Sequence, residues 1–182
     1  QITEIEAGSF NAVDGSFVED QDTTVIEGDA ITQLNDEFLV KLAKVPAGNV
    51  VAKLSLGEDA DEQIKLSSAD SRFSIVDGVA FVTFTAADWG DAILVTVEAR
   101  DDARLEDPKG AVISISLDET QTTDGDYIFP NLRSSTGVFE VNVLDNDTAG
   151  AYVRQSGGST QLGVDDLTTA GDETVTDTYT LR

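Results

Sequence analysis

The nine residues Ala92-Ile93-Leu94-Val95-Thr96-Val97-Glu98-Ala99-Arg100 decide the fold class. In an extended chain Val95, Val97 and Ala99 point one way and Thr96, Glu98 and Arg100 the other. That period of two gives an antiparallel strand one buried and one solvated face. The pattern returns twice downstream. Ile113, Ile115 and Leu117 alternate with Ser114 and Ser116, and Phe139, Val141 and Val143 alternate with Glu140 and Asn142. Less regular apolar stretches run from Phe17 to Ile26, Glu37 to Leu42, Val50 to Leu56, Ile64 to Leu66 and Val79 to Phe84. Gly, Asp, Asn and Ser separate them, and a helical period is weak throughout. About seven to eight short strands before residue 147 predict an all-β chain of two packed antiparallel sheets, a β-sandwich. Phe38, Val40, Phe81, Val95, Ile113, Ile115, Phe139 and Val141 are expected in its interior, with Trp89 capping one end from a turn.

Around this core lies a large excess of negative charge: 182 residues carry 35 Asp+Glu against 11 Lys+Arg, a formal net charge of −24. A nucleic-acid partner needs a basic face to displace counterions from phosphates, and an anionic membrane surface needs the same, so both are excluded. No apolar run reaches the roughly 18 residues of a membrane helix, and no basic, apolar leader opens the sequence, so membrane insertion is not expected. Cys, His and Met are absent. Their absence removes thiol nucleophiles, imidazole as a general base and the soft metal ligands. No serine has a histidine partner, and the carboxylates come with no substrate cleft, so an enzyme is not expected.

The carboxylates gather where the strand reading places loops: Glu19 to Asp22, Glu27-Gly28-Asp29, Glu58 to Glu62, Asp101-Asp102 with Glu106-Asp107, Asp124-Gly125-Asp126 and Asp145-Asn146-Asp147. Like charges this close destabilise the compact state unless a cation neutralises them. Calcium suits such a set, because it takes six to eight oxygens in flexible geometry and needs neither His nor Cys. Glu58 to Glu62 reads as a solvated hairpin loop, and neither the EF-hand pattern nor a glycine-rich β-roll repeat occurs.

Two of these acidic groups terminate alternating strands. Arg100-Asp101-Asp102 is followed by Glu106, four positions after Asp102, and Val143-Leu144 runs into Asp145-Asn146-Asp147-Thr148-Ala149-Gly150. These segments, with Val25-Ile26-Glu27-Gly28-Asp29 and the turn from Phe84 to Asp91, resemble the Calx-beta family over residues 16 to 150. The resemblance implies an immunoglobulin-like β-sandwich with Ca2+ held where loops converge at one end. It further implies Glu27, Asp101, Asp102, Glu106, Asp145 and Asp147 as ligands, with an acid near Asp70 as another. Two positions depart from that pattern. Lys109 stands where some calcium-binding members carry an acid, and Asn146 replaces the middle carboxylate. One calcium site is therefore expected rather than a cluster.

An internal repeat lies at an offset of about 142 residues. Ala7-Gly8-Ser9-Phe10 matches Ala149-Gly150-Ala151-Tyr152, Gly28-Asp29 matches Gly171-Asp172, and Asp36 to Lys41 matches Asp177 to Arg182. Residues 1–147 then form one module, and 148–182 a linker with the first strands of a second, incomplete one. Ala170 aligns with Glu27, so no second calcium site is assumed. The strand at Thr174 to Arg182 exposes an edge unless it docks.

The reading from sequence is a calcium-binding structural module of a large extracellular, adhesin-type surface protein, with neighbouring modules of the same protein as its partners. The surface attribution rests on the resemblance. The alternatives are a subunit of a self-assembling fibre or surface layer joined by strand complementation, and an accessory binding module of a secreted enzyme with Trp89, Tyr127 or Phe129 as carbohydrate contacts.

Overall fold

The computed structural model describes residues 1–20, 22–28, 33–104, 109–128, 137–147, 153–155 and 179–181, with backbone alone at 58, 59, 61, 153–155 and 179–181. The strands are β1 (Ile2–Ile5), β2 (Thr23–Ile26), β3 (Asp36–Val40), β4 (Val50–Leu56), β5 (Ile64–Ser67), β6 (Phe73–Val76), β7 (Val79–Phe84), β8 (Ile93–Ala99), β9 (Lys109–Leu117), β10 (Gly137–Leu144), β11 (Val153–Gln155) and β12 (Tyr179–Leu181). Ten of them make two sheets, ordered β1-β3-β8-β5 and β2-β10-β9-β4-β7-β6. This is the expected all-β sandwich of two packed sheets.

The alternation of β8 becomes its burial. Ile93, Val95 and Val97 are fully buried and Ala99 nearly so, while the residues between them are half-buried. Across the interface Ile113, Ile115, Val141 and Val143 do the same for β9 and β10. Phe38 packs edge-on to Phe139, ring centroids 4.9 Å apart at 70°. Removing a side chain like Phe38 from water contributes about 1.5–3 kcal/mol. Trp89 lies partly buried against this cluster, as expected.

Several expectations change in the folded chain. Phe81 points outward, because β7 is apolar on both faces and its register buries Ala80, Val82 and Phe84 instead. Only Thr23–Ile26 of the stretch from Phe17 to Ile26 is a strand, and it runs parallel to β10 in an otherwise antiparallel sheet. The Glu58 to Glu62 loop is a helical turn, Glu58–Gln63. Two strands lie outside the expected set: β1, and β6, which a two-residue turn ties to β7. Asp77 and Gly78 both have positive φ there, 50° and 80°, the conformation of a type I′ hairpin turn, and Val76 faces Val79.

One buried carboxylate joins the two sheets. Asp36, 1 % exposed, opens β3 and accepts from the backbone N–H of Thr24 on β2 at 2.8 Å and of Glu37 at 2.8 Å. The short β2 is thereby fixed beside β3 as well as β10, which matters for the residue that follows it.

Candidate cation site

The parallel ladder of β2 on β10 runs from Thr23 opposite Val141 to Ile26 opposite Leu144. One further hydrogen bond, Glu27 N–H to the Leu144 carbonyl at 3.0 Å, carries it past the strand ends. Glu27 and Asp145 therefore leave the sheet side by side. Glu27 is 3 % exposed, an unusual setting for a carboxylate.

The end of β8, in the opposite sheet, is held just as firmly. Arg100 N–H donates to the Gln63 carbonyl at 2.8 Å, the Arg100 guanidinium to the Ile64 carbonyl at 3.1 Å, and the Gln33 amide to the Ala99 carbonyl at 2.9 Å. Asp101 emerges from this anchor and accepts from the Asn146 side-chain amide at 3.2 Å. That bond joins the two acidic strand ends. Around it Asp147 N–H donates to the Asp145 carboxylate at 2.6 Å, and Arg104 N–H to the Asp102 carboxylate at 2.7 Å. The Asp147 carboxyl is raised above the usual aspartate value, first by loss of solvent and then by the charges of Asp145, Asp101 and Asp102. Lys109, opposite Val143, begins β9 at this same end.

Glu27, Asp101, Asp102, Asp145 and Asp147 are thus carried to one end of the sandwich by β2, β8 and β10. Glu106 lies outside the described residues. Asp70 goes elsewhere. β5 runs antiparallel to β8 with Ser67 opposite Thr96, so the chain beyond Ser67 travels to the opposite end from Asp101. There Asp70 is consumed by Arg72, which donates to it from Nε at 3.0 Å and from Nη2 at 2.7 Å. The guanidinium holds the Asp70 carboxyl below its usual value. A residue engaged this way and on the wrong end cannot join the others, which corrects the expectation for it.

Every donor in the converging group is an oxygen, the chemistry a calcium ion takes. Among the described residues, however, no three acidic side chains meet closely enough to hold a metal ion as they stand. The group is an open convergence, held by strand ends and by amides. Other acidic loops are explained by the fold itself. Asp124 accepts from the backbone N–H of Ala47 and of Asp126, the latter at 2.8 Å, and lies under a 3-10 turn. Asp118 accepts from Thr120 and Gln121, which lower its carboxyl to about 2.

Sequence reasoning missed three participants. Asn146 counted as a lost ligand, yet its amide ties the two strand ends. Gln33 braces the end of β8 from 66 residues away. Arg72 neutralises the far end, and only the local Asp70-Ser71-Arg72 spacing could have pointed to it.

No family model matches the chain, and no curated protein matches it significantly in sequence. Solved structures do resemble it. The N-terminal domain of PorA overlays at a TM-score of 0.40 with 10 % identity, over 82 % of this chain and 100 % of that one. AggA, the major subunit of aggregative adherence fimbriae type I from Escherichia coli, gives 0.39 and 8 %, over 68 % and 90 %. The calcium binding domain CBD12 of CALX1.1 gives 0.35 and 14 %, over 82 % and 48 %. Function does not transfer across likenesses of this size.

Proposed function

We propose that the chain is a calcium-binding structural module of an extracellular surface protein, non-catalytic, in which one ion joins the ends of β2, β8 and β10. The observation that carries this reading is the bond between Asn146 and Asp101, which draws two acidic strand ends from opposite sheets together beside the buried Glu27. Glu27, Asp101, Asp102, Asp145 and Asp147 would hold the ion, with Glu106, which lies outside the described residues, as a further ligand. The Asp147 carboxyl is raised by loss of solvent and then by the charges of Asp145, Asp101 and Asp102, and it is the second of these that a cation would relieve. Bound calcium would supply positive charge and accept the carboxylate oxygens as ligands, nothing more. The chain's own part is to hold the carboxylates on three anchored strand ends, so that filling the site ties sheet to sheet and stiffens the exit toward residue 148. On this reading residues 1–147 are one module and 148–182 open the next, and a row of such units becomes a stiff array carrying an adhesive or structural surface protein.

The test is thermal unfolding in saturating calcium and in excess chelator, for the native chain and for Asp101→Asn with Asp102→Asn. At calcium a hundredfold above Kd the native chain should gain about 2.7 kcal/mol. The double variant should lose that gain while melting no lower in chelator. Coincident curves for the native chain would remove calcium from the account.

A further inference from the structure

The short ladder at the C-terminal end repeats the ladder at the N-terminal end. β11 pairs antiparallel with β12 as Val153 opposite Leu181, Arg154 opposite Thr180 and Gln155 opposite Tyr179. β1 pairs antiparallel with β3 as Ile2 opposite Val40, Thr3 opposite Leu39 and Glu4 opposite Phe38. The sequence match of Asp36 to Lys41 with Asp177 to Arg182 equates Phe38, Leu39 and Val40 with Tyr179, Thr180 and Leu181. Through the pairing, Ile2, Thr3 and Glu4 then become Val153, Arg154 and Gln155. Two independent relations, one of sequence and one of register, give a single frame. It also revises the repeat. Ala7-Gly8 follows β1 whereas Ala149-Gly150 precedes β11, so those two segments are not equivalent.

We propose that β11 and β12 are the first sheet of a second unit, and that the edge of β12 away from β11 is a docking site for a strand of the β8 kind. This rests on the repeat-array reading above. In the first unit β3 has two neighbours, β1 and β8, whereas β12 has β11 alone among the described residues. The outer N–H and C=O row of an edge strand takes another strand, and register selects which one. The pairing of β3 with β8, Val40 opposite Ile93, Leu39 opposite Leu94 and Phe38 opposite Val95, specifies the occupant. It is an antiparallel extended segment with apolar residues at alternate positions, placed so that the equivalent of Leu94 faces Thr180. A second copy of this chain does not fit the description, because its own β8 is already held between β3 and β5.

The chain has no cysteine, so a cross-link reads the register directly. Thr180→Cys in the full chain is mixed, in a buffer with oxidised glutathione as the electron acceptor, with a synthetic peptide of residues 90–102 carrying Leu94→Cys. A second peptide carries Val95→Cys instead, one residue out of register and on the other face of the strand. The Leu94 peptide should form the disulfide at least about tenfold faster, because cysteines pointing to opposite faces cannot reach bonding geometry. Equal rates for the two peptides, or no cross-link with either, would overturn the proposal. So would the Thr180→Cys chain pairing with itself faster than with the peptide, since the edge would then belong to a second copy. The readout requires no calcium, so its failure is separable from failure of the cation site.

Discussion

The two ends of the sandwich solve the same electrostatic problem differently. At one end Asp70 and Asp88 lie around Arg72, whose guanidinium is 2.7 Å from the first carboxylate and 4.0 Å from the second. Arg72 also donates to the carbonyls of Asp88 and Asp91 and sits 5.7 Å from the ring centre of Phe84. A covalently supplied cation is built into that end. At the other end the Asp101 and Asp102 carboxylates accept from the Asn146 amide and the Arg104 backbone N–H, Asp147 stands among like charges, and Lys109 begins β9 beside them. On the proposed reading one loop cluster is closed permanently by an arginine and the other by an ion whose concentration varies. The first gives stability under all conditions, and the second makes stability conditional.

The largest effect that would sharpen this contrast is Arg72→Ala. Removing a mostly buried cation from its carboxylates and from Phe84 should lower stability by about 2–3 kcal/mol in chemical denaturation. The loss should be the same in calcium and in chelator. Recovery in calcium would mean that the two ends are interchangeable, and the comparison would fail. Next comes Asn146→Ala, which deletes the tether to Asp101 and should cost about 1 kcal/mol in chelator while reducing the stabilisation by calcium. An unchanged calcium response would show that the strand ends converge without it.

Acidity should separate the ends by sign. Asp70 has a lowered folded value, so its contribution is complete above the ordinary carboxylate range near pH 4 and disappears as pH falls through the lowered value. Asp147 has a raised folded value, so its destabilisation is complete above that value and is relieved as pH falls through it toward about 4. In chelator, Asp147→Asn should flatten the gain on mild acidification, and Asp70→Asn should flatten the loss in stronger acid. Measured stability–pH curves with the same sign for both variants would contradict the assignment. The smallest effect is expected at Asp118, which lies at the Arg72 end of the sheet but accepts within its own turn, from Thr120 and Gln121. Asp118→Asn should cost about 1 kcal/mol at neutral pH and nothing below its folded value of about 2, with no dependence on calcium.

The fold was legible where periodicity is strict. Alternation in Ile93 to Ala99 and in Ile113 to Leu117 identifies strands and the faces they bury, because only one face of each is apolar. It fails at β7, where Phe81 and Phe84 are both large and apolar and only pairing with β4 decides which goes inside. β6 escaped because Phe73-Ser74-Ile75-Val76 is short and largely exposed, although Asp77-Gly78 marks its hairpin. β1 sits at the N-terminus and takes its strand character from β3. That Asp101, Asp145 and Asp147 come to one end of the sandwich could be read because they follow recognisable strands. Asp70 was misplaced because a sequence does not say to which end of a sheet a loop returns. Antiparallel pairing of β5 with β8 settles that, and Arg72 then takes the carboxylate. The role of Asn146 was hidden by counting charges alone, since its contribution is a donated hydrogen.

The parallel pairing of β2 with β10 has a mechanical consequence. A pull entering β2 from its N-terminal side and leaving through the C-terminal end of β10 drags two neighbouring strands in opposite directions along their own length. Their ladder is then loaded in shear, and the bonds from Thr23 opposite Val141 to Ile26 opposite Leu144 must yield together rather than unzip singly. Glu27 and Asp145 stand immediately beyond the last of those pairs, so an ion bound there would clamp the ladder at the end where β10 is pulled. With the load applied between β1 and β2 and beyond β10, stretching single molecules should therefore give a higher rupture force in calcium than in chelator, a resistance that an antiparallel edge strand such as β1, peeled bond by bond, would not provide.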